Sequence, residues 1–363
     1  MRRFTWIVVF VIILFLNGCQ IPVDNVSDEE EKNDYVRTED EIVDTYDSLY
    51  SEMEEIDDES EDDEDEEDEE DEELEANGEV AITVYYRDSD DMIVPVTRNI
   101  ERQEGIARAV IESMIKNEEN KKHLKSYNLF ALLPEGTVVL GMNIKEDAMI
   151  VDFNERFLSY EDKTQEINII SSVVYSLTEF DTIDDVKILV GGREKDKLEY
   201  GTDISGYLNR ENVLINSKKV NIEDKVNKVD VYFYKSLGEE IECLLPMSFE
   251  YIGIEEEEIC GEIVRLLGKD YADKKVFSQL PSGVSLIDSK LEEDTLILNF
   301  NGEIRNYGGT SREKGILKQI LYSMKQIEDI KNIRIMIEGK EGELPEGTDI
   351  SRDIPIPDKI NTV

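Results

Sequence analysis

The stretch from Thr83 to Gly192 recurs as Asp230 to Gly339 at an offset of about 147 residues, so the chain carries one domain twice. Val84-Tyr85-Tyr86 returns as Val231-Tyr232-Phe233, Leu133-Pro134-Glu135-Gly136 as Leu280-Pro281-Ser282-Gly283, and Val151-Asp152-Phe153-Asn154 as Leu298-Asn299-Phe300-Asn301. Tyr175-Ser176-Leu177 is matched by Tyr322-Ser323-Met324, and each unit closes on Gly-Thr-Asp-Ile-Ser, at Gly201 to Ser205 and Gly347 to Ser351. The period is too long for a solenoid repeat or a propeller blade and describes two tandem globular domains, each long enough to bury a core.

The N-terminus reads as an address. Arg2 and Arg3 precede an apolar run from Trp6 to Leu16, which has the length of a signal-peptide core and is too short to span a bilayer. The run ends at Leu16-Asn17-Gly18-Cys19, which resembles a bacterial lipobox, in which the cysteine is lipidated and becomes the mature N-terminus; a signal anchor that happens to contain a cysteine is the alternative. Several acyl chains on Cys19 would hold the chain firmly, each buried methylene contributing about 0.8 kcal/mol.

Between Asp24 and Glu75 there are about 31 acidic residues against Lys32 and Arg37, and Glu61 to Glu73 is unbroken acid. Such a segment buries too little apolar surface to offset its ordering entropy and is expected to be a disordered tether with a coil span of about 40 Å. Loose binding of Ca²⁺ or of a basic partner is the functional alternative to a plain spacer, but no ligand spacing with a turn glycine is present. The remaining negative charge is spread over both domains with no basic cluster, which argues against nucleic acid as a partner.

Within each repeat the pattern predicts a strand at Val80 to Arg87, a turn at Asp88 to Asp91 and a short extended piece around Met92 to Val96. A helix over Glu104 to Lys116 then presents Ile106, Val110 and Met114, matched by Ile259, Ile263 and Leu267. Pro134 and Gly136, like Pro281 and Gly283, set a turn with Gly at the position needing positive φ, and a hairpin follows. The longest helix, Thr164 to Phe180, is expected to bury Ile167, Ile170, Val174 and Leu177; its second copy starts with the capping-box pattern Thr310-x-x-Glu313. A last strand, Val186 to Val190 or Ile333 to Ile337, ends against Gly192 or Gly339. The order β, α, β, β, α, β describes two α+β domains, each with helices on one face of a small mixed sheet. The expected divisions are a signal peptide at 1–18, Cys19 and the acidic linker over 19–79, domain 1 over 80–206, a linker at 207–227, domain 2 over 228–352, and a tail at 353–363 adding little core.

These residues resemble the GerMN domain of the sporulation and spore germination GerM family: an opening strand, an LPxGT-like turn, a V-D-F strand, a glutamate-led helix and a closing V-x-V-x-G. Copy one has Gly136, Asp152, Glu166 and Gly192 at the family-like positions, with Thr137 and Thr178. Copy two keeps Gly283, Glu313 and Gly339 and has Val284, Asn299 and Lys325 at the others. If those positions carried chemistry, copy two would be inactive; if they shape turns and caps, small polar exchanges are tolerated. The resemblance implies a role in sporulation or spore germination, and a membrane-tethered assembly factor or scaffold on the outer face of the cell membrane or between the two membranes of a developing spore.

Chemistry is sparse. The single histidine, His123, is expected in a polar loop from Asn120 to Ser126, and its being alone excludes histidine triads and multi-histidine metal sites within one chain. Asp152 beside Glu155 is the best local carboxylate pair, weighed against a polar strand end. Cys243 and Cys260 either pair or remain buried thiols. Tyr85-Tyr86 and Tyr232-Phe233-Tyr234 are either a sugar-stacking platform or a strand with one core face and one half-exposed face. No catalytic residue, metal or cofactor is assigned. The expected function is a lipid-anchored interaction factor with protein partners; a peptidoglycan-binding module and a carboxylate-dependent wall hydrolase are the alternatives.

Overall fold

The computed structural model describes residues 78–363 apart from 220, 223–225, 239–240, 254, 256–257 and 328–329. The signal peptide, Cys19 and nearly all of the acidic tether lie outside the described residues.

Domain 1 opens with an antiparallel hairpin, β1 (Glu79–Arg87) and β2 (Ile93–Glu101), followed by α1 (Ile106–Ser113) and α2 (Glu118–Leu124). A mixed sheet follows in the order β3 (Val139–Lys145), β4 (Ala148–Phe153), β5 (Asp185–Val190), β6 (Arg193–Glu194), with β4 and β5 parallel and the long helix α3 (Lys163–Leu177) crossing between them. Domain 2 repeats this: hairpin β7 (Asn227–Ser236) and β8 (Glu242–Tyr251), helix α4 (Ile259–Leu267), strands β9 (Leu286–Glu292) and β10 (Thr295–Phe300), long helix α5 (Thr310–Met324), then β11 (Asn332–Ile337) and β12 (Ile354–Pro355). Its sheet order is β12-β11-β10-β9. Both halves are mixed α+β, a sheet with helices packed on it.

The short extended piece expected after the first turn is a nine-residue strand, because β2 continues through the polar Arg98 and Asn99 in register with β1. The stretch around His123 is not a loop but the helix α2, whose N-cap Asn117 accepts the Asn120 backbone N–H at 2.7 Å through its side chain.

The long helix is buried from Glu166 to Leu177, wider than the single apolar stripe anticipated, because the hairpin covers one side and the sheet the other. Its polar residues are placed accordingly. Ser176 Oγ accepts the Tyr85 N–H at 3.0 Å, and Ser323 Oγ accepts the Tyr232 N–H at the same distance, tying helix to hairpin identically in both copies. Tyr85 packs edge-on against Tyr175 at 5.5 Å and Tyr232 against Tyr322 at 5.7 Å, while Tyr86 turns to the other side and donates to Ser113 Oγ on α1. Burying each such ring stabilises the domain by about 1.5–3 kcal/mol.

The segment expected as a free linker is packed: Val213, Leu214 and Ile215 are fully buried. The C-terminal tail also adds core, since β12 pairs with β11 and Ile360 is buried. These two segments perform one task twice. Ile215 and Ser248 exchange backbone and hydroxyl hydrogen bonds, Ile215 N to Ser248 Oγ at 2.8 Å and Ser248 N to Ile215 O at 3.0 Å; Ile360 and Thr97 do the same, Ile360 N to Thr97 Oγ1 and Thr97 N to Ile360 O, both 2.9 Å. Next along the chain, Asn216 takes the Ile93 N–H at 2.7 Å and donates to Ile93 O and Pro246 O. Asn361 takes the Leu244 N–H at 2.9 Å and donates to Leu244 O and Pro95 O. Both asparagines adopt left-handed backbone, φ 54° and 48°, which asparagine tolerates better than most residues. Each trailing segment thus bridges its own hairpin to that of the other domain, and exchanging the domains maps one set of bonds onto the other: the halves form an internal pseudo-dimer.

Replacing Asn361 by Ala removes three hydrogen bonds and leaves a strand N–H and two carbonyls without that partner, an expected loss of about 2–4 kcal/mol. The urea midpoint measures it, and an unchanged midpoint would contradict the bridging role given to this tail.

Candidate functional site

The residues repeated in both copies converge on three loop-holding positions. The first is the proline-glycine turn. Thr137 N donates to Pro134 O at 3.1 Å and its hydroxyl does so at 2.7 Å, with Gly136 at φ 80° in the third position. Pro134 therefore stands at the first turn position, supplying the accepting carbonyl, and Glu135 takes the second. Copy two repeats the turn with Gly283 at φ 84° and only the backbone bond, Val284 N to Pro281 O at 3.4 Å. A strand-end asparagine pins each turn: Asn154 donates to Gly136 O and accepts the Val138 N–H, and Asn301 donates to Gly283 O and accepts the Ser285 N–H. Asn154 and Asn301 were visible as the last letter of the repeated strand motif but carried no assigned role.

The second position is the strand-end Asp152. Its Oδ1 accepts the Gly192 N–H at 2.9 Å, and Asn299 Oδ1 accepts the Gly339 N–H at 2.9 Å. One acceptor oxygen serves in both copies, and amide replaces carboxylate without loss of that bond. Gly192 and Gly339 have φ 72° and 73°, so the turn needs residues free of a Cβ penalty. Glu155 is exposed; its carboxylate lies against Gly191. The geometry gives Asp152 an anchoring contact.

The third position is the glutamate at the head of each long helix. Thr310-x-x-Glu313 does not form a capping box: the N-cap is Gly309, with no side-chain cap. Glu313 instead reaches the closing Gly-Thr-Asp loop, accepting the backbone N–H of Glu346 at 2.8 Å and of Thr348 at 3.1 Å, the Thr348 hydroxyl, and the Tyr307 hydroxyl at 2.6 Å. Glu166 is fully buried and accepts Tyr160 OH at 2.8 Å, Tyr200 N at 2.8 Å and Thr202 N at 3.0 Å. Each carboxylate fastens the Gly-Thr-Asp-Ile-Ser loop to the start of its helix, which accounts for the recurrence of that pentapeptide.

Burial opposes ionisation of Glu313, but the hydrogen bonds from Thr348, Tyr307 and the backbone outweigh it and hold its pKa below the usual glutamate value. Burial, together with the hydrogen bond to the adjacent carboxylate, pushes the Tyr160 and Tyr307 phenols upward, so both remain donors at neutral pH.

A denser polar network lies where the domains meet. Tyr175 donates to Asp230 Oδ2 at 2.6 Å and receives Lys228 Nζ at 2.7 Å, while Asp230 Oδ1 accepts from Ser248 Oγ at 2.6 Å. Arg210 reaches Thr178 Oγ1 at 2.9 Å, the Tyr175 carbonyl at 3.0 Å, and Glu179, which also accepts from Tyr85 OH. Burial opposes charge on both Arg210 and Glu179, but their mutual attraction prevails: the guanidinium is held above and the carboxyl below its ordinary pKa. Burial lowers the Lys228 pKa even with Asp230 beside it.

The remaining candidates fare differently. Among the described residues no group of three or more His, Cys, Asp or Glu side chains is placed to hold a metal ion. His123 sits on α2 near Tyr127, its pKa lowered by partial burial and then by Arg98. Cys243 and Cys260 are buried free thiols; burial pushes Cys243 up to about 12. The tyrosine clusters offer no stacking platform, since Tyr85, Tyr86, Tyr232, Phe233 and Tyr234 are all buried. The expectation of a half-exposed face fails because β1 and β7 are covered by helices on both sides.

Two grooves recur at matching places. In domain 1 a groove of about 450 Å³ is bounded by Ile106, Met142, Ile144, Met149 and Phe180. In domain 2 one of about 840 Å³ is bounded by Ile259, Ser289, Leu291, Leu296 and Ile327, together with Asn209 and Arg210 from the junction.

A duplicated α+β module, folded against its own copy and with its repeated polar residues spent on holding loops, defines a tandem-domain protein built as an internal pseudo-dimer. The Germane family model, described as sporulation and spore germination, matches residues 83–196 and 230–343, and the chain belongs to that family. It is 25% identical over 299 residues to the spore germination protein GerM of Bacillus subtilis (strain 168), a match covering 79% of this chain and 80% of that protein. The solved tandem GerMN domains of the sporulation protein GerM from Bacillus subtilis match with a TM-score of 0.69 at 24% identity, covering 78% of this chain and 100% of the other, a likeness of fold.

Asp152→Asn is expected to shift stability by less than about 0.5 kcal/mol because Asn299 already makes the same bond, whereas Asp152→Ala should cost about 0.5–1.5 kcal/mol by losing the bond to the Gly192 N–H. Equal effects of the two changes on the denaturation midpoint would refute the anchoring role. Glu313 has a folded pKa below its unfolded one, so its contribution is complete above the ordinary glutamate range and is lost as pH falls through the lower folded value. Thermal melts of Glu313→Gln should therefore show a shallower loss of stability below about pH 4.3 than the parent protein. Parallel pH profiles would rule this out.

Proposed function

We propose that the protein is a lipoprotein, anchored through Cys19 on the outer face of a bacterial cell membrane, that acts by protein contact during sporulation or spore germination. The observation that carries this reading is the family match over both folded repeats, under a description that names those two processes. The relative of similar length bears the name spore germination protein GerM. The order of segments agrees with it: charged start, short apolar run, cysteine, long polyanionic stretch, then the two domains. Among the described residues no helix is long and apolar enough to cross a membrane, so attachment in this reading rests on the lipid at Cys19.

A role by contact, not turnover, is supported by where the repeated polar residues go. Glu166 and Glu313 have both oxygens engaged by backbone N–H groups and hydroxyls of their own domains, and Asp152 has one oxygen on the Gly192 N–H. The wall-binding alternative loses its motivation with the burial of the tyrosine clusters.

Fractionation of cells producing the parent protein and Cys19→Ala tests the anchor. The parent protein should sediment with membranes through a high-salt wash and the variant should not. Sedimentation of both would remove lipidation from the account. In-cell crosslinking from each domain during spore development tests the contact role: discrete protein adducts are expected, and a strain lacking the protein that forms and germinates spores at parental efficiency would sink the assignment to these processes.

A further inference from the structure

In a two-fold arrangement, a residue on the axis meets its own equivalent from the other half. At the repeat offset Asp88 of domain 1 corresponds to Lys235 of domain 2, and these two meet. Lys235 Nζ lies 3.4 Å from Asp88 Oδ2 and 2.8 Å from Asp90 Oδ2, with the Asp88 and Lys235 side chains 1% and 2% exposed. Lys275 reaches Asp90 Oδ1 from domain 2. Asp88 Oδ2 has no hydrogen-bond partner, so the Lys235 ammonium is the compensating charge beside it. Where the hairpins and trailing segments meet, the two halves present like with like: Pro95 with Pro246, Thr97 with Ser248, Asn216 with Asn361; the Tyr175, Lys228 and Asp230 network stands on one side of the seam alone. These hairpin and trailing-segment bonds would therefore serve a domain meeting an identical domain as well as they serve the pair present. The charges would not. Two copies of domain 1 would bring carboxylates together out of water, and two copies of domain 2 would bring ammonium groups together, each without a counter-charge.

We propose that the hairpin and trailing Ile-Asn segment of each domain form a pairing surface for domains of this same kind, and that the opposite charges at Asp88 with Asp90 and at Lys235 decide which pairs form. Domain 1 accepts domain 2 and refuses itself. The partner that fits the domain 1 surface in trans is domain 2 of a second copy of this chain, which carries the opposite charge at the axial position. The inference concerns how such domains choose each other and does not depend on the membrane anchor or on the process served.

Two full-length variants test it. Lys235→Asp with Lys275→Asp makes the facing groups of both domains acidic; Asp88→Asn with Asp90→Lys makes them basic, and Asn keeps the oxygen by which Asp88 accepts the Asp90 and Met92 N–H groups at 2.8 and 2.9 Å. Alone in detergent, each variant should lose the single cooperative melt expected of the parent and show two transitions. Mixed one to one, differently tagged copies should co-purify as a 1:1 complex, at least tenfold above either variant mixed with itself. A chain carrying all four changes should close on itself again, with one melt and no co-purification. Recovery in the combined variant separates charge selection from a failure to fold. The proposal is overturned if the variants melt like the parent, if opened variants do not combine on mixing, or if the combined variant fails to recover.

Discussion

The domain arrangement depends on two asparagine side chains held between two hairpins. Asn216 and Asn361 each satisfy a strand N–H and two strand carbonyls drawn from both domains, so the unpaired groups of β2 and β8 are used to join the halves. A two-stranded hairpin alone is marginal in water, and here each is held by a long helix on one side and by the other domain at its edge. The buried tyrosines follow from that: Tyr85 and Tyr232 lie beneath surfaces that would be open in a lone hairpin. The same arrangement gives the polar network of Tyr175, Lys228 and Asp230 a dry setting. There a partly satisfied group would be costly, and the groups are mutually paired.

Divergence between the copies makes physical sense position by position. Asn299 replaces Asp152 because only one acceptor oxygen is needed; Asn299 uses its amide to reach Asp288 Oδ2 at 2.8 Å as well. Val284 replaces Thr137 at the cost of one hydroxyl bond, while the backbone bond and the glycine with positive φ remain. Thr178 has a different status: its hydroxyl serves Arg210 at the junction, and Lys325 at the matching place in copy two stands outside any such contact with Arg210. The positions shared by both copies hold loops or, like Asn216 with Asn361 and Thr97 with Ser248, the hairpin seam, while Thr178, found in one copy alone, serves Arg210 beside it.

Much of this was legible in the sequence because duplication supplies its own control. The α+β class, the hairpin after the proline-glycine turn, the long helix and the closing strand each rest on a motif appearing twice. The misreadings came where a local pattern answers to distant atoms. Thr310-x-x-Glu313 satisfies the spacing of a capping box, but Glu313 bonds to a loop more than thirty residues on, and a spacing rule has no access to that choice. The polar segment before domain 2 and the proline-bearing tail looked like connectors, since Ile-Asn-Ser and Ile-Asn-Thr are too short to register as a repeat beside the longer ones. Their equivalence appears only when both are seen against β2 and β8.

Joining two such domains in one chain changes what their pairing surface must do. For separate domains, affinity has to overcome the loss of translational freedom. Within one chain the short connection from Asn216 to β7 makes the second contact intramolecular, so modest complementarity suffices. The buried Asp88 and Lys235 then contribute less to strength than to choice, because removing charged groups from water offsets most of their attraction while an unmatched charge is heavily penalised. That is the balance expected of a seam whose pairing is correct by connectivity but whose surface could otherwise meet its own copy on a neighbouring chain.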